Sequence, residues 1–452
     1  LYNVIYRYKY ISCLIIYESI SDYRKLFNIY NNDKEGEEEK FMYNNFYIPK
    51  CLCFTSVHPC IDKFEEILKY IYEFTINNKI KEIYINQLIE EIIMKIPKIP
   101  QGYTMVLLNL CQKQIDLTEN RLNEYPSIHI DLSKLFALFS ISTIIEIFKF
   151  ILCEGKLIFF SNKIYDITSI IMSFLFLLSP FEYQYQVISI LPKEKYFYIE
   201  SELPYIFGVN ERYTQNFFVD NKIDLKQNVV CIIDIDEKSV IKIPQNYNIK
   251  DYPEIPKHLK EIIESNIQQY YKYLINSAKK NLENVNTKNT NNEIIEYKPK
   301  EKNEKYQLIF YKFMIAFLEE YPKYLYKNIL NKETKENEKD INNMIDITSY
   351  LNSVNSSERD FYKKIFKTKI FKQFIIKRCF PKNSKEKIEA IFFEEKINEK
   401  IAANKVFGKA KLIENNKLLP SKEYNYISDP EIIDLSVQIL NPEFIFVQTN
   451  QR

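Results

Sequence analysis

The sequence predicts an α/β protein of two lobes, an N-terminal longin-like module and a central sheet module joined to a helical one, and three observations lead there. Residues 156–161 make an apolar strand run that passes at once into an almost wholly apolar helix-length stretch, 164–178. A strand and a helix that are both this apolar bury every face, which is the habit of a parallel sheet covered by helices. Upstream, apolar strand runs at 1–17 and 47–56 precede a segment with Ile61, Phe64, Ile67, Leu68, Ile71 and Phe74 at helical spacing. Downstream of 304, apolar residues recur only at helical spacing, as in Phe310, Phe313, Met314, Phe317 and Leu318. At 452 residues the chain is long enough for two to four domain-sized units.

Taken in order, residues 1–20 read as two strands, 21–45 as a polar loop and 47–56 as a strand with Pro49 near its start, where a missing N–H is tolerable. Helices follow at 61–75 and at 85–96, the second stopped by Pro97 and Pro100. A helix at 142–153 leads into the strand at 156–161. The helix after it stops at Ser179-Pro180, and a second strand runs from Gln186 to Leu191. A tight Leu203-Pro204-Tyr205-Ile206-Phe207-Gly208-Val209 segment closes that block, and residues 228–236 add a further strand. The Asn/Lys/Glu-rich run 276–303 has too little apolar surface to offset chain entropy, so it is expected as a disordered insertion, and 331–343 as a second polar insertion. Helices are expected at 306–325, 361–378 and 388–401. The apolar pieces 432–439 and 444–447 in the tail have no assigned place. The domains expected are thus 1–125, 130–260, 304–400 and a tail at 401–452.

Composition restricts the function. A formal net charge of +2 argues against a nucleic-acid binder, which normally shows a basic excess. The most apolar stretch, 164–181, carries Asp166, Ser169 and Ser173 and falls short of the ~20 residues of a spanning helix, so it reads as a core helix. The eight cysteines lie mostly inside apolar runs, as reduced core thiols do. Cys51 and Cys53 share one face of a strand ahead of His58 and Cys60, without the usual Cys-x-x-Cys knuckle, and no metal site is expected. With three histidines and five glycines the chain has no His-x-x-x-His motif and no glycine-rich phosphate loop. No catalytic residue and no cofactor are therefore expected.

Several stretches resemble the tripartite DENN domain family. IYESI at 16–20, PKCLCFTSVHP at 49–59 and IPKIPQG at 96–102 resemble its upstream, longin-like module. The block from Glu154 to Asn210, with Pro180-Phe181-Glu182-Tyr183-Gln184 and Pro204 to Val209, resembles the central module. FKTKIFKQFIIKRCFP at 366–381 with AIFFEEKI at 390–397 resembles the downstream one. The chain opens at Leu1 inside an apolar run, which reads as a trimmed start with the family's first strand missing. Tyr183 stands where relatives often carry Trp.

The resemblance implies a guanine nucleotide exchange factor for a Rab-type small GTPase in membrane traffic. It would be cytoplasmic or peripheral to a membrane and would hold the nucleotide-free GTPase in a cleft between two lobes. Oligomeric state is left open. Partner contact is implied for Pro180, Phe181, Gln184, Pro204, Gly208, Arg212, Asp234 and Asp236. Six of them also have a structural reading: Pro180 ends a helix, Phe181 packs in the core, Gly208 supplies a positive φ, Arg212 is an ordinary surface arginine, and Asp234 and Asp236 are solvated strand-end carboxylates. Two alternatives stay open. One is folliculin-like GTPase activation, for which Arg24 and Arg212 are the loop arginines, and the other is a scaffold that binds without turnover.

Overall fold

A computed structural model describes residues 10–20, 46–56, 61–77, 86, 88–90, 92, 105–110, 113–116, 130–225, 229–244, 248–287, 299–326, 341–382, 384–406 and 432–437. The chain divides into two compact units. One comprises residues 1–119 with 427–452, the other 120–426.

In the first unit, β1 (Tyr10–Ile20) pairs antiparallel with β2 (Phe46–Ser56), with Cys13 opposite Cys53. Helix α1 (Ile61–Asn77) covers one face of this hairpin, burying Phe64, Ile67, Leu68 and Ile71 and stacking Phe64 on Phe54 at 5.4 Å. A second sheet joins β3 (Met105–Leu110) to β4 (Lys113–Asp116), and β10 (Ile432–Val437) pairs parallel with β3. The tail segment without an assigned place is thus a strand completing this sheet. Residues 1–9, and with them the first expected strand, lie outside the described residues.

The second unit is built on a five-stranded mixed sheet in the order β6-β7-β5-β8-β9. Helices α2 (Ser133–Leu138) and α3 (Ile141–Leu152) lead to β5 (Lys156–Phe160). The turn into β5 places Glu154 at φ 55. From β5 the chain runs through α4 (Ile164–Leu177) and β6 (Gln186–Ile188), then a 3₁₀ turn at Lys193–Glu200, to β7 (Tyr205–Val209). After α5 (Phe217–Asp220) come β8 (Val230–Asp234) and β9 (Ser239–Ile243). Strands β6, β7, β5 and β8 are parallel, and β9 closes the edge antiparallel to β8. The apolar run of β5 is explained by its place: all five residues are buried, with a parallel neighbour on each side. Ile158, Phe160, Phe207 and Val209 share a core with Tyr196, Ile199 and Phe217, while Phe159 meets Phe174 of α4 at 6.2 Å. The expected closing segment 203–209 is therefore an inner strand, and the expected strand 186–191 is three residues long.

Helix α6 (Lys257–Thr287) packs against α7 (Pro299–Phe317). The expected disordered insertion 276–303 is helical at both ends, and only 288–298 lies outside the described residues. Asn303 shows why the second end is ordered. It is buried, donating through Nδ2 to Ile130 O at 2.7 Å and accepting through Oδ1 from Leu132 N at 2.8 Å. Beyond α8 (Tyr321–Tyr324) follow α9 (Ile347–Ser353), α10 (Arg359–Phe366), α11 (Lys369–Cys379) and α12 (Ser384–Val406). Phe310 and Phe313 of α7 meet Phe148 of α3 edge-on at 5.1 and 5.7 Å, so these two helices share an aromatic core. Among the described residues no helix is long and apolar enough to cross a membrane.

Candidate functional site

In an open α/β sheet, groups that meet a ligand or partner gather beyond the carboxyl ends of the parallel strands. Here β5, β7 and β8 end level with one another at Phe160, Val209 and Asp234. The residues that follow are Ser161-Asn162-Lys163, Asn210-Glu211-Arg212 and Ile235-Asp236-Glu237, and they interlock. Ser161 Oγ donates to Asp236 Oδ1 at 2.7 Å and accepts from Lys163 N at 3.0 Å. Asn162 N donates to Asp236 Oδ2 at 3.0 Å, and Asn210 Nδ2 donates to Ser161 O at 3.0 Å. Asp234 Oδ1 accepts from Glu237 N at 3.0 Å and so closes the turn into β9, where Lys238 takes a φ of 55.

Around this frame stand charges, exposed on Lys193, Arg212 and Glu237 and half-buried on Glu211. Arg212 Nη2 donates to Glu237 Oε1 at 3.0 Å, and Lys193 pairs with Glu211 at 2.5 Å. Burial raises the Tyr213 phenol above its ordinary value, with the Asp234 carboxylate adding to it. Burial and then Glu211 raise Tyr196 likewise. The chemistry on offer is fixed hydrogen bonding and charge. Ser161 is paired to a carboxylate, and His258, the one histidine among the described residues, pairs with Glu358 at 3.0 Å near the start of α6. Among the described residues the one grouping able to hold a metal ion is Cys13, Cys51 and Cys53, in the other unit.

Seven of the eight candidate residues divide between the two ends of the sheet, and Gly208 lies within β7. Arg212, Asp234 and Asp236 come together at the carboxyl-end rim. Asp234 is buried rather than solvated, because its carboxylate tucks under its own turn; Asp236 is exposed and accepts from a hydroxyl and a backbone N–H. Pro180, Phe181, Gln184 and Pro204 lie just before β6 and β7, at the amino end, a strand length of about 16 Å away. There Phe181 is buried, edge-on to Phe374 of α11 at 5.2 Å, and Gln184 Nε2 donates to Glu182 O at 2.8 Å. Pro180 and Pro204 are half-buried.

Gly208 sits inside β7 and is a correction of reason: its backbone does not take a positive φ. A Cβ there would fall well under 3.0 Å from Ser189 O and from the Ile167 side chain, so close approach to neighbours is what needs glycine. Ser161, Asn162, Asn210 and Glu237 went unsingled in the sequence. The signal that finds them is position, polar residues directly after each parallel strand.

A second constellation ties the amino end to the helices. Glu154 Oε1 accepts from Ile370 N at 2.8 Å, beside the Thr368 side chain that caps α11, and Lys369 Nζ stands 4.6 Å over the Tyr185 ring. Burial raises Glu154 above the usual carboxylate range despite the backbone donors that hold it down.

Residues 47–238 match the family model described as the DENN (AEX-3) domain. The chain is similar to "DENN domain-containing protein C297.05" of Schizosaccharomyces pombe, 26% identical over 164 residues, which cover 36% of this chain and 16% of that protein. It is similar to "DENN domain-containing protein 3" of Mus musculus, 22% identical over 255 residues, 54% of this chain and 19% of the relative. "Elicitor of plant defense protein 1" of Verticillium dahliae is 25% identical over 154 residues, 32% and 13% respectively. The matched stretch thus spans less than a fifth of each of these relatives.

Proposed function

We propose, from the match of residues 47–238 to the DENN (AEX-3) domain model, that the chain is a guanine nucleotide exchange factor for a Rab-type small GTPase, acting in membrane traffic from the cytosol or a membrane's cytosolic face. The match itself carries the reading, because it takes in the whole of β5 to β8 with the rim at their carboxyl ends, and DENN domains are generally associated with exchange on Rab-type GTPases.

The physics asks for no catalytic side chain. A small GTPase holds its nucleotide with switch segments that have ordered and displaced states. A partner that binds the displaced, emptied form better than the loaded one lowers the barrier to GDP loss by that difference. Each tenfold acceleration corresponds to about 1.4 kcal/mol of preference. A rigid frame with fixed charges suits such discrimination, since a surface that gave way would lose the difference in rearrangement. Arg212, Asp236 and Glu237 supply charge, and the exposed Val219, on α5 beyond the carboxyl end of β7, supplies apolar contact.

Release of fluorescent GDP from a panel of Rab-type GTPases tests this with the full chain. At least one is expected to lose GDP ten or more times faster than alone. Accelerated GTP hydrolysis without GDP release would assign GTPase activation instead, and capture with neither rate changed would assign a scaffold.

A further inference from the structure

The β1–β2 hairpin places three thiols on one open face. Side chains alternate along both strands: Ser12 is buried and Phe54 stacks on α1, while Cys13, Cys51 and Cys53 turn to the other side and are exposed. Cys13 lies directly across from Cys53, and Cys51 lies two residues along the same face, opposite Ile15. The sulfurs are 3.2 Å apart for Cys13 and Cys53 and 3.3 Å for Cys51 and Cys53, and all three lie within 4.8 Å of one another.

This placement is unusual for cysteine, which behaves as a small hydrophobe and is among the most buried residue types. Three thiols side by side in solvent gain little packing. A disulfide would use two and leave the third idle, whereas a shared cation uses all three. A metal bound at about 2.3 Å to three sulfurs sets them roughly 3.8–4.0 Å apart. The observed separations reach that spacing with shifts of under about 1 Å, a matter of side-chain torsions, on a face that also exposes Ile11, Ile15, Tyr17 and Tyr47.

We propose that Cys13, Cys51 and Cys53 form a binding site for a soft d¹⁰ cation, Zn(II) or Cu(I), on the outer face of the hairpin. Thiolate sulfur selects these ions over harder divalent ones. Three metal–sulfur bonds form and three S–H protons pass to solvent. Cu(I) is satisfied by three sulfurs, and Zn(II) takes a water in the open fourth position. The bound ion staples two strands through cysteines that are 40 residues apart along the chain. The site lies in the first unit and stands or falls independently of nucleotide exchange.

The test is titration of the reduced, metal-stripped full chain with Zn(II) and separately with Cu(I), each against a chromogenic chelator. One equivalent of one of the two ions is expected to bind, which also identifies it. Cys13→Ser, Cys51→Ser and Cys53→Ser should each weaken binding about a hundredfold or more, beyond what loss of an outer hydrogen-bond partner produces. Circular dichroism matching the parent confirms that these exposed, near-isosteric variants remain folded. Hydrogen exchange across 10–20 and 46–56 should slow on metal addition in the parent and not in the variants. Failure of both ions to bind stoichiometrically, or binding that survives replacement of all three cysteines, overturns the proposal.

Discussion

Asp236 and Arg212 sit side by side at the rim and do different work. Asp236 takes both its hydrogen bonds from the loop between β5 and α4, so it fixes the frame. Asp236→Ala is expected to cost about 1–3 kcal/mol, because Ser161 Oγ and Asn162 N lose their acceptor, and denaturant unfolding will read it. Arg212 pairs with an exposed glutamate, a contact worth about 0–1 kcal/mol. Arg212→Ala should leave the unfolding midpoint nearly unchanged, yet slow stimulated GDP release by about tenfold if the rim meets the GTPase; equal rates would remove the rim from the contact. Gly208→Ala should destabilise by about 2 kcal/mol or more, since the Ser189 carbonyl it would strike is backbone and cannot swing aside. That two aspartates end the apolar strand run was legible, but not that Asp234 is buried under its own turn. Ser161 and Asn210 were not legible, since 49 residues separate them in sequence and only the parallel register makes them neighbours. For Gly208 the sequence could say that a side chain is excluded but not whether by backbone angle or by crowding.

At the level of elements, a joint among helices α8, α11 and α12 carries titratable groups whose directions predict pH behaviour. Tyr321 donates to Glu394 at 2.9 Å, with the Arg378 guanidinium 4.7 Å over the Phe374 ring nearby. Burial raises Glu394 above 4.5, partly offset by the Tyr321 hydrogen bond and the Arg378 charge. A carboxyl raised on folding contributes stability below its unfolded value that is lost as pH climbs through the folded one. Glu394→Gln keeps an acceptor for Tyr321 and removes the titration. The stability of the parent relative to this variant should therefore fall as pH rises from about 4.5 toward neutrality, as urea midpoints across that range will show. Helices such as α7 and α11 were legible because their aromatic residues recur at helical spacing. The ends of α6 and α7 were not: composition alone made 276–303 look unable to pack, while the buried Asn303 amide anchors its second end through hydrogen bonds that composition does not register. Strand β9 escaped for the opposite reason, since Ser239 to Ile243 mixes polar and apolar residues at a half-buried edge.

For the whole molecule, β10 is the least foreseeable element, six residues whose partner strand β3 lies in the first quarter of the chain. No local pattern could have named that partner, because the pairing is decided by which sheet edge remains open. Removing residues 427–452 should abolish hydrogen-exchange protection at 105–110 and leave 205–209, in the other unit, protected as before; loss of protection in both would show that the units do not unfold separately. The same pairing has a bearing on biosynthesis. Strand β3 leaves the ribosome roughly 300 residues ahead of β10, a wait of tens of seconds at about 5–20 residues per second. Within that interval every strand of the second unit's own sheet is made, the last ending at Ile243, while the earlier-made segment keeps an unfilled edge. Birth order and completion order are thus reversed in this polypeptide, and the nascent N-terminal part is where a chaperone would have the longest opportunity to bind.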